Sequence, residues 1–409
     1  MTRATGYRIR VGVLVVLGSV LLWLSLANTV PLVLGRGSPA LATGFGLGSA
    51  KAQAARAMSI VVNNPSADEA DEARRLAQAA LLREPVNVQA VVALSTIAFM
   101  QNRSELGGRL FAYSERLSRH DPTTQMWLIE DRVQRGDIRG ALVHYDRLMS
   151  VSPSSRPTLI PILVSASADP SIARPLADLL ARRPNWWHEA IGPLIYQTPA
   201  PASTLPILVR GIGLRPAIDF ERALFSGAMT RLAEAGEFDQ AHNLYLASGG
   251  ARLSGKELVR NGSFEGPNRL PPFEWELANV DGRAAVVQPH LEGTGKALFL
   301  YVDQNTQGEL AKQFLMLEPG RYRLSVQSGN IAGDQFQRPH ISIRCATSDA
   351  KSVLDLRLPV SGGTGQSSRM ELTVGGDCPA QWISLASGVG SEVQDNQPWI
   401  DAVSIRQAK

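Results

Sequence analysis

Near residue 250 the apolar residues change their spacing, and no single regular element satisfies both halves of the chain. Upstream, "ADEARRLAQAALLREP" sets Ala73, Leu76, Ala77, Ala80 and Leu81 at i, i+3, i+4 intervals, one face of a helix that ends at Pro85. Downstream, "GRYRLSVQSGN" alternates, with Tyr322, Leu324 and Val326 on one side and Arg321, Arg323, Ser325 and Gln327 on the other. A helix advances about 100° per residue and a strand about 180°, so separate blocks of each pattern require an α region followed by a β region. The expected bounds are 51–250 for the helical region and 257–409 for the β region.

Along the helical region the same arrangement returns several times. "RGDIRGALVHYDRLMSVSP" carries Ala141, Tyr145, Leu148 and Pro153; "GEFDQAHNLYLASGG" carries Ala241, Tyr245 and Ser248; "PSIARPLADLLARRPN" carries Ala173, Ala177 and Leu180. Small, aromatic, small or apolar, then Pro resembles the second helix of a tetratricopeptide repeat, with Gly136-Asp137 and Gly236-Glu237 at the turn between paired helices. The first-helix signature of that family is poorly kept. Over about 65–250 the resemblance implies a stacked α-solenoid that offers a concave surface to a protein partner; a plain helical spacer is the alternative. The prolines between 153 and 216 predict short or irregular helices there, and Trp186 and Trp187 read as packing between helices.

The β region continues with "HISIRC", "VLDLRLPV", "RMELTV" and "QWISLAS", which put Ile341, Ile343 and Cys345, then Leu354, Leu356, Leu358 and Val360, then Met370, Leu372 and Val374 on inward faces. Short strands, Gly and Pro turns and one apolar face indicate an antiparallel sandwich. "LVRNGSFE", Trp275, "KALFLYV", "EPGRYRLSV" and the closing "WIDAVSI" together resemble the galactose-binding-like jelly roll of carbohydrate-binding modules, over about 257–407. The resemblance implies that "NGSFE" lies against "IDAVSI", and that a structural calcium is shared by Glu265 and Asp401. Calcium takes six to eight oxygens, so backbone carbonyls must complete such a site. A sugar needs an aromatic platform with polar groups around it; the candidates are Trp399, Trp275, Tyr301 and Trp382, with Trp275 and Trp382 also fitting core positions.

The compartment is read from the N-terminus. Arg3, Arg8 and Arg10 precede an uncharged run from Val11 to Leu34, about the length of a bilayer-spanning helix. Basic residues stay on the cytoplasmic side, so the expected layout is a basic tip and anchor over 1–35, a flexible linker over 36–50, and the remainder in the bacterial periplasm. A signal cut near Ala40-Leu41-Ala42, releasing the chain, is the alternative. In an oxidising compartment the two cysteines, Cys345 and Cys378, are expected to pair, since both fall at strand ends of one domain.

A net charge of +4 without any block of Lys or Arg argues against a nucleic-acid partner. The six histidines lack metal-ligand spacing, and neither a nucleophile elbow nor a phosphate loop is present. The sequence therefore reads as a non-enzyme. It suggests a membrane-anchored scaffold whose helical repeats hold a protein and whose jelly roll holds a polysaccharide, in envelope or exopolysaccharide assembly or export. A purely protein-binding scaffold and a glycan-active enzyme with acids converging in space are the other readings.

Overall fold

The computed structural model describes residues 18–23, 25, 49–250, 257–290, 295–347, 349–390 and 397–408. The expected anchor and linker therefore lie almost wholly outside the described residues. Among those that are described, no helix is long and apolar enough to cross a membrane. The chain divides into two compact units between Leu159 and Ile160.

The first unit holds α1 (Ala50–Val62), α2 (Ala67–Arg83), α3 (Val88–Met100), α4 (Ser104–Leu117), α5 (Pro122–Gln134) and α6 (Ile138–Val151). Helices α1 to α3 meet through Ala54, Ala57, Ala73, Ala77, Ala80, Ala90 and Ala93, all buried. Side chains this short let helix axes approach closely. Starts are written into the sequence: Ser66 and Glu69 form a reciprocal capping box on α2, and Asp121 and Asp137 cap α5 and α6.

Two joints in this unit share one closure. After α3, Asn102 N–H donates to Phe99 O and Arg103 N–H to Ala98 O; after α5, Gly136 N–H donates to Val133 O and Asp137 N–H to Arg132 O. This double closure needs a left-handed residue, and Asn102 and Gly136 have φ of 57° and 70°. These two positions lie 34 residues apart. The helical hairpins implied by the sequence are thus present, with a shared turn.

The second unit continues with α7 (Arg156–Ala166), whose start holds the division, α8 (Pro170–Leu180), α9 (Trp187–Tyr196), α10 (Pro201–Ile212), α11 (Asp219–Glu234) and α12 (Phe238–Ala247). The same closure joins α11 to α12 at Gly236, φ 79°. The proline-rich helices α7 to α10 are only 10 to 12 residues long, with Pro161, Pro175, Pro193 and Pro206 inside them and Pro170 and Pro201 in first turns. Trp186 and Trp187 are buried, as core packing requires.

Two antiparallel sheets follow. One runs in the order β1 (Glu276–Leu277), β5 (Gly308–Leu315), β10 (Gln381–Ser387), β7 (His340–Cys345), β8 (Ser352–Arg357). The other runs β2 (Asn279–Val280), β3 (Arg283–Pro289), β4 (Lys296–Val302), β11 (Trp399–Gln407), β6 (Gly320–Gly329), β9 (Gln366–Val374). Between them lies one core that includes Leu298, Leu300, Tyr322, Leu324, Val326, Ile341, Ile343, Ile383 and Ile405. Two inward assignments need correction. Val360 is exposed because β8 ends at Arg357 and the chain leaves the sheet; Met370 is exposed because β9 is an edge strand.

"NGSFE" does meet the last strand: Leu258 N–H donates to Ile405 O and Val403 N–H to Gly262 O. It is a turn segment rather than a regular strand. Gly262 is required there, since a Cβ would stand 1.8 Å from the Val403 carbonyl oxygen. Cys345 and Cys378 form a disulfide, Cα–Cα 5.3 Å, which ties the end of β7 to the turn before β10.

Helix α12 belongs with the sandwich. Phe238 lies 5.7 Å from Phe314 on β5, Tyr245 lies tilted at 4.9 Å from Phe273, and Arg260 covers the Tyr245 ring. Phe314 in turn meets Phe273 at 5.4 Å and Trp382 at 5.0 Å, both edge-on. This ladder of rings ties α12 to the sandwich within one compact unit.

Candidate functional site

At one end of the sandwich, strand ends from both sheets surround a cavity of about 530 Å³. The six-stranded sheet supplies Leu300, Tyr301 and Val302 from β4 and Gln397 and Pro398 ahead of β11; the other supplies Leu310 from β5, Ser387 from β10, and Gln337 and Pro339 ahead of β7. Asp303, Gln304, Ala332 and Gly388–Gly390 complete the lining.

Glycine holds these loops together. The segment 388–390 threads between two turns: Val389 N–H donates to Phe336 O, Gly390 N–H to Thr306 O, and Asn305 N–H to Gly390 O. A Cβ on Gly388 would stand 2.2 Å from Phe336 O, and one on Gly390 2.1 Å from Asp303 O. The loop ahead of β7 is folded on its own side chains, with the Asp334 carboxylate accepting from Phe336 N–H (2.7 Å) and Gln337 N–H (3.2 Å), and Gln337 Oε1 accepting from Asp334 N–H. That loop places the Phe336 ring 67% exposed, next in sequence to the lining residue Gln337.

Of the aromatic candidates, only Tyr301 lines the cavity. It is half-buried, and its hydroxyl donates to Gln288 Oε1 at 3.1 Å. Trp399 is not the exposed platform expected from its place at a strand start. It is 3% exposed, with His290 edge-on at 4.2 Å, and a Cβ on Gly329 or Gly365 would strike its ring. The Gly-rich turn "SGGTGQSS" thus covers a tryptophan. Trp275 is also 3% exposed and packs on Phe264 in the core. Trp382 sits on the outer face of the five-stranded sheet beside Phe314, with Lys312 Nζ 5.6 Å from its ring centroid. Phe336 escapes a reading of the sequence, because an aromatic in a polar loop has no period to betray it.

Glu265 and Asp401 come into electrostatic reach of each other. Burial pushes the Asp401 carboxyl above the usual carboxylate range; the Ala402 amide, 2.6 Å from Oδ1, and His290 oppose this, while Glu265 adds to it. Glu265 accepts from Lys296 N–H at 2.8 Å, and its own carbonyl accepts from Lys296 Nζ at 3.2 Å. Gly295, φ 90°, leaves the room that Glu265 Oε1 uses, since a Cβ would come within 2.1 Å of it. Two carboxylates where a turn segment meets a strand fit a hard cation that takes oxygen ligands, with backbone carbonyls to complete the set. Among the described residues, no group of three or more His, Cys, Asp or Glu is placed to hold a metal by side chains alone.

In the first unit a cleft of about 1050 Å³ opens beside Phe99, Phe111 and Trp127, where Phe111 and Trp127 stack at 4.8 Å. Met126 on its rim is exposed.

No protein-family model matches the chain, and no curated protein matches it. Solved structures similar to it are mainly carbohydrate-binding modules. A family 16 carbohydrate-binding module is 16% identical over 36% of this chain and 98% of that one, with a TM-score of 0.27. The CBM22-1 xylan-binding domain from Paenibacillus barcinonensis is 10% identical over 39% of this chain and 99% of that one, with a TM-score of 0.27. The enzymatically active domain of tailspike protein 4 from bacteriophage CBA120 is 17% identical over 37% of this chain, with a TM-score of 0.29, and only 21% of that chain is covered.

Proposed function

We propose that this chain is an envelope scaffold whose sandwich binds a glycan in the strand-end cavity and whose helical region engages a protein partner. The observation that carries the glycan reading is a recess lined by Tyr301 and the carboxamides of Gln304, Gln337 and Gln397, with the exposed Phe336 next in sequence to Gln337. A pyranose has an apolar face ringed by hydroxyls, and this combination matches both. The reading rests on the cavity and not on the neighbouring structures, and it assigns no catalytic step. Glu265 and Asp401 would hold a structural calcium that pins the first turn segment to the last strand.

The test is a titration of the full chain with a panel of oligosaccharides. Phe336→Ala is expected to weaken the best ligand about tenfold, the equivalent of roughly 1.4 kcal/mol, with little change in melting temperature because the ring is exposed. Failure of every glycan to bind would reject the reading in favour of a scaffold that binds proteins only.

The aromatic cleft of the first unit supports the protein-partner half of the proposal. The membrane half rests on the run from Val11 to Leu34, with secretion after cleavage as its rival. A reporter fused after Lys409 should be active in the periplasm; cytoplasmic activity would rule out both.

A further inference from the structure

The charge around the cavity is one-sided. Among the described residues that line it, Asp303 is the one acidic side chain, and there is no Lys, Arg or His. Asp303 is exposed, and its backbone is held in a turn: its N–H donates to Gly282 O, and its carbonyl accepts from Thr306 N–H at 3.0 Å. Of the cations in the neighbouring loops, Arg338 falls between the lining residues Gln337 and Pro339 without itself lining the cavity, and two others are spent elsewhere. Arg283 donates to Gln307 O at 2.6 Å, and Arg357 donates to the carbonyls of Gln335 and Arg338; neither lines the cavity.

Resting on the glycan reading, we infer that this cavity selects uncharged sugars and excludes acidic glycans, those bearing uronate, sulfate or phosphate. Recognition of an anionic sugar requires a donor that carries positive charge, because a carboxylate or phosphate taken from water needs charge-assisted hydrogen bonds in return. Here the neutral donors are carboxamides and hydroxyls, while a fixed carboxylate stands at the rim. Walls formed by Leu300, Leu310, Pro339 and Val389 lower the local dielectric and strengthen that repulsion. The same glutamines bond a neutral hydroxyl at no such cost.

The experiment measures binding of the full chain to neutral xylan, glucan and mannan oligosaccharides and to oligogalacturonate and oligoalginate of matched length, at low and at moderate salt. At least one neutral glycan is expected to bind at least tenfold more tightly than either acidic one. Asp303→Lys, checked for folding by its melting curve, is expected to narrow that ratio by roughly tenfold, more so at low salt. Equal or tighter binding of the acidic oligosaccharides overturns the inference while leaving glycan binding intact. An unchanged ratio in Asp303→Lys also overturns it. If no oligosaccharide of either kind binds, the glycan reading itself has failed.

Discussion

At the scale of single residues, Asp401 is a carboxyl whose charged form is placed at a cost. Its carboxyl lies above the ordinary value of 3.8 mainly through burial, so the folded chain holds this proton more tightly than the unfolded chain does. That contribution favours folding below about pH 3.8 and is lost as pH rises through the folded value. In chelator, the contribution of this one group should therefore decline with rising pH through the acid range, and Asp401→Asn should remove it and melt higher at neutral pH than the parent. If calcium binds the ionised pair, its addition should stabilise the parent chain by about 2.7 kcal/mol at a hundredfold excess over Kd, read as a higher melting temperature, and leave Asp401→Asn unmoved. Identical melting curves in chelator and in millimolar calcium would dismiss the cation. That Glu265 lies within electrostatic reach of Asp401 was expected from the resemblance, because both sit in short motifs at the ends of the domain. The burial of Trp399 was not. It depends on Gly329 and Gly365, which are remote in sequence and signal nothing by their own type.

At the scale of elements, local rules governed most of what could be read. Caps at Ser66, Asp121 and Asp137, left-handed turn residues at Gly136 and Gly236, and strict alternation on β6 all act within a few residues. The turns at Gly136 and Gly236 and the alternation on β6 were therefore expected from the sequence, while the caps were open to the same kind of reading. Strand ends are different, because Val360 left the sheet and Met370 reached an edge for reasons set by neighbours in space. The cavity is of this second kind, assembled from five strand ends and their loops. Its dependence on close backbone approach gives a direct test. Gly388→Ala puts a methyl group 2.2 Å from the Phe336 carbonyl, so the loop ahead of β7 must move. The expected result is glycan affinity weakened at least tenfold with a loss of stability of about 1–3 kcal/mol, read by titration and by denaturant unfolding. Wild-type affinity in this variant would show that the loop has no role in the site.

At the scale of the whole molecule, two covalent and aromatic connections set how much of the chain behaves as one body. The disulfide closes a loop with a sequence separation of 33, worth about 3–4 kcal/mol in the chain-entropy model. Reductant should lower the melting temperature of the sandwich accordingly, and Cys345→Ala with Cys378→Ala should reproduce the shift; an unchanged midpoint would assign the bond no role in stability. The ring ladder from Phe238 and Tyr245 through Phe273 and Phe314 to Trp382 predicts that a fragment beginning at residue 257 leaves these rings uncovered. Such a fragment should bind a hydrophobic dye and self-associate, whereas one beginning at Asp219, which keeps α11 and α12, should not. Strands β5 and β10 run between this ladder and the cavity, from Phe314 and Trp382 at one end to Leu310 and Ser387 at the other. A tug on a polymer held in the cavity and resisted at α12 is therefore directed along these two antiparallel strands. Tension in that direction shears their ladder of hydrogen bonds together instead of peeling them apart one at a time. The strand geometry predicts that the sandwich resists pulling between its cavity end and α12, measurable by force spectroscopy as a higher rupture force for this axis than for one across the sheet.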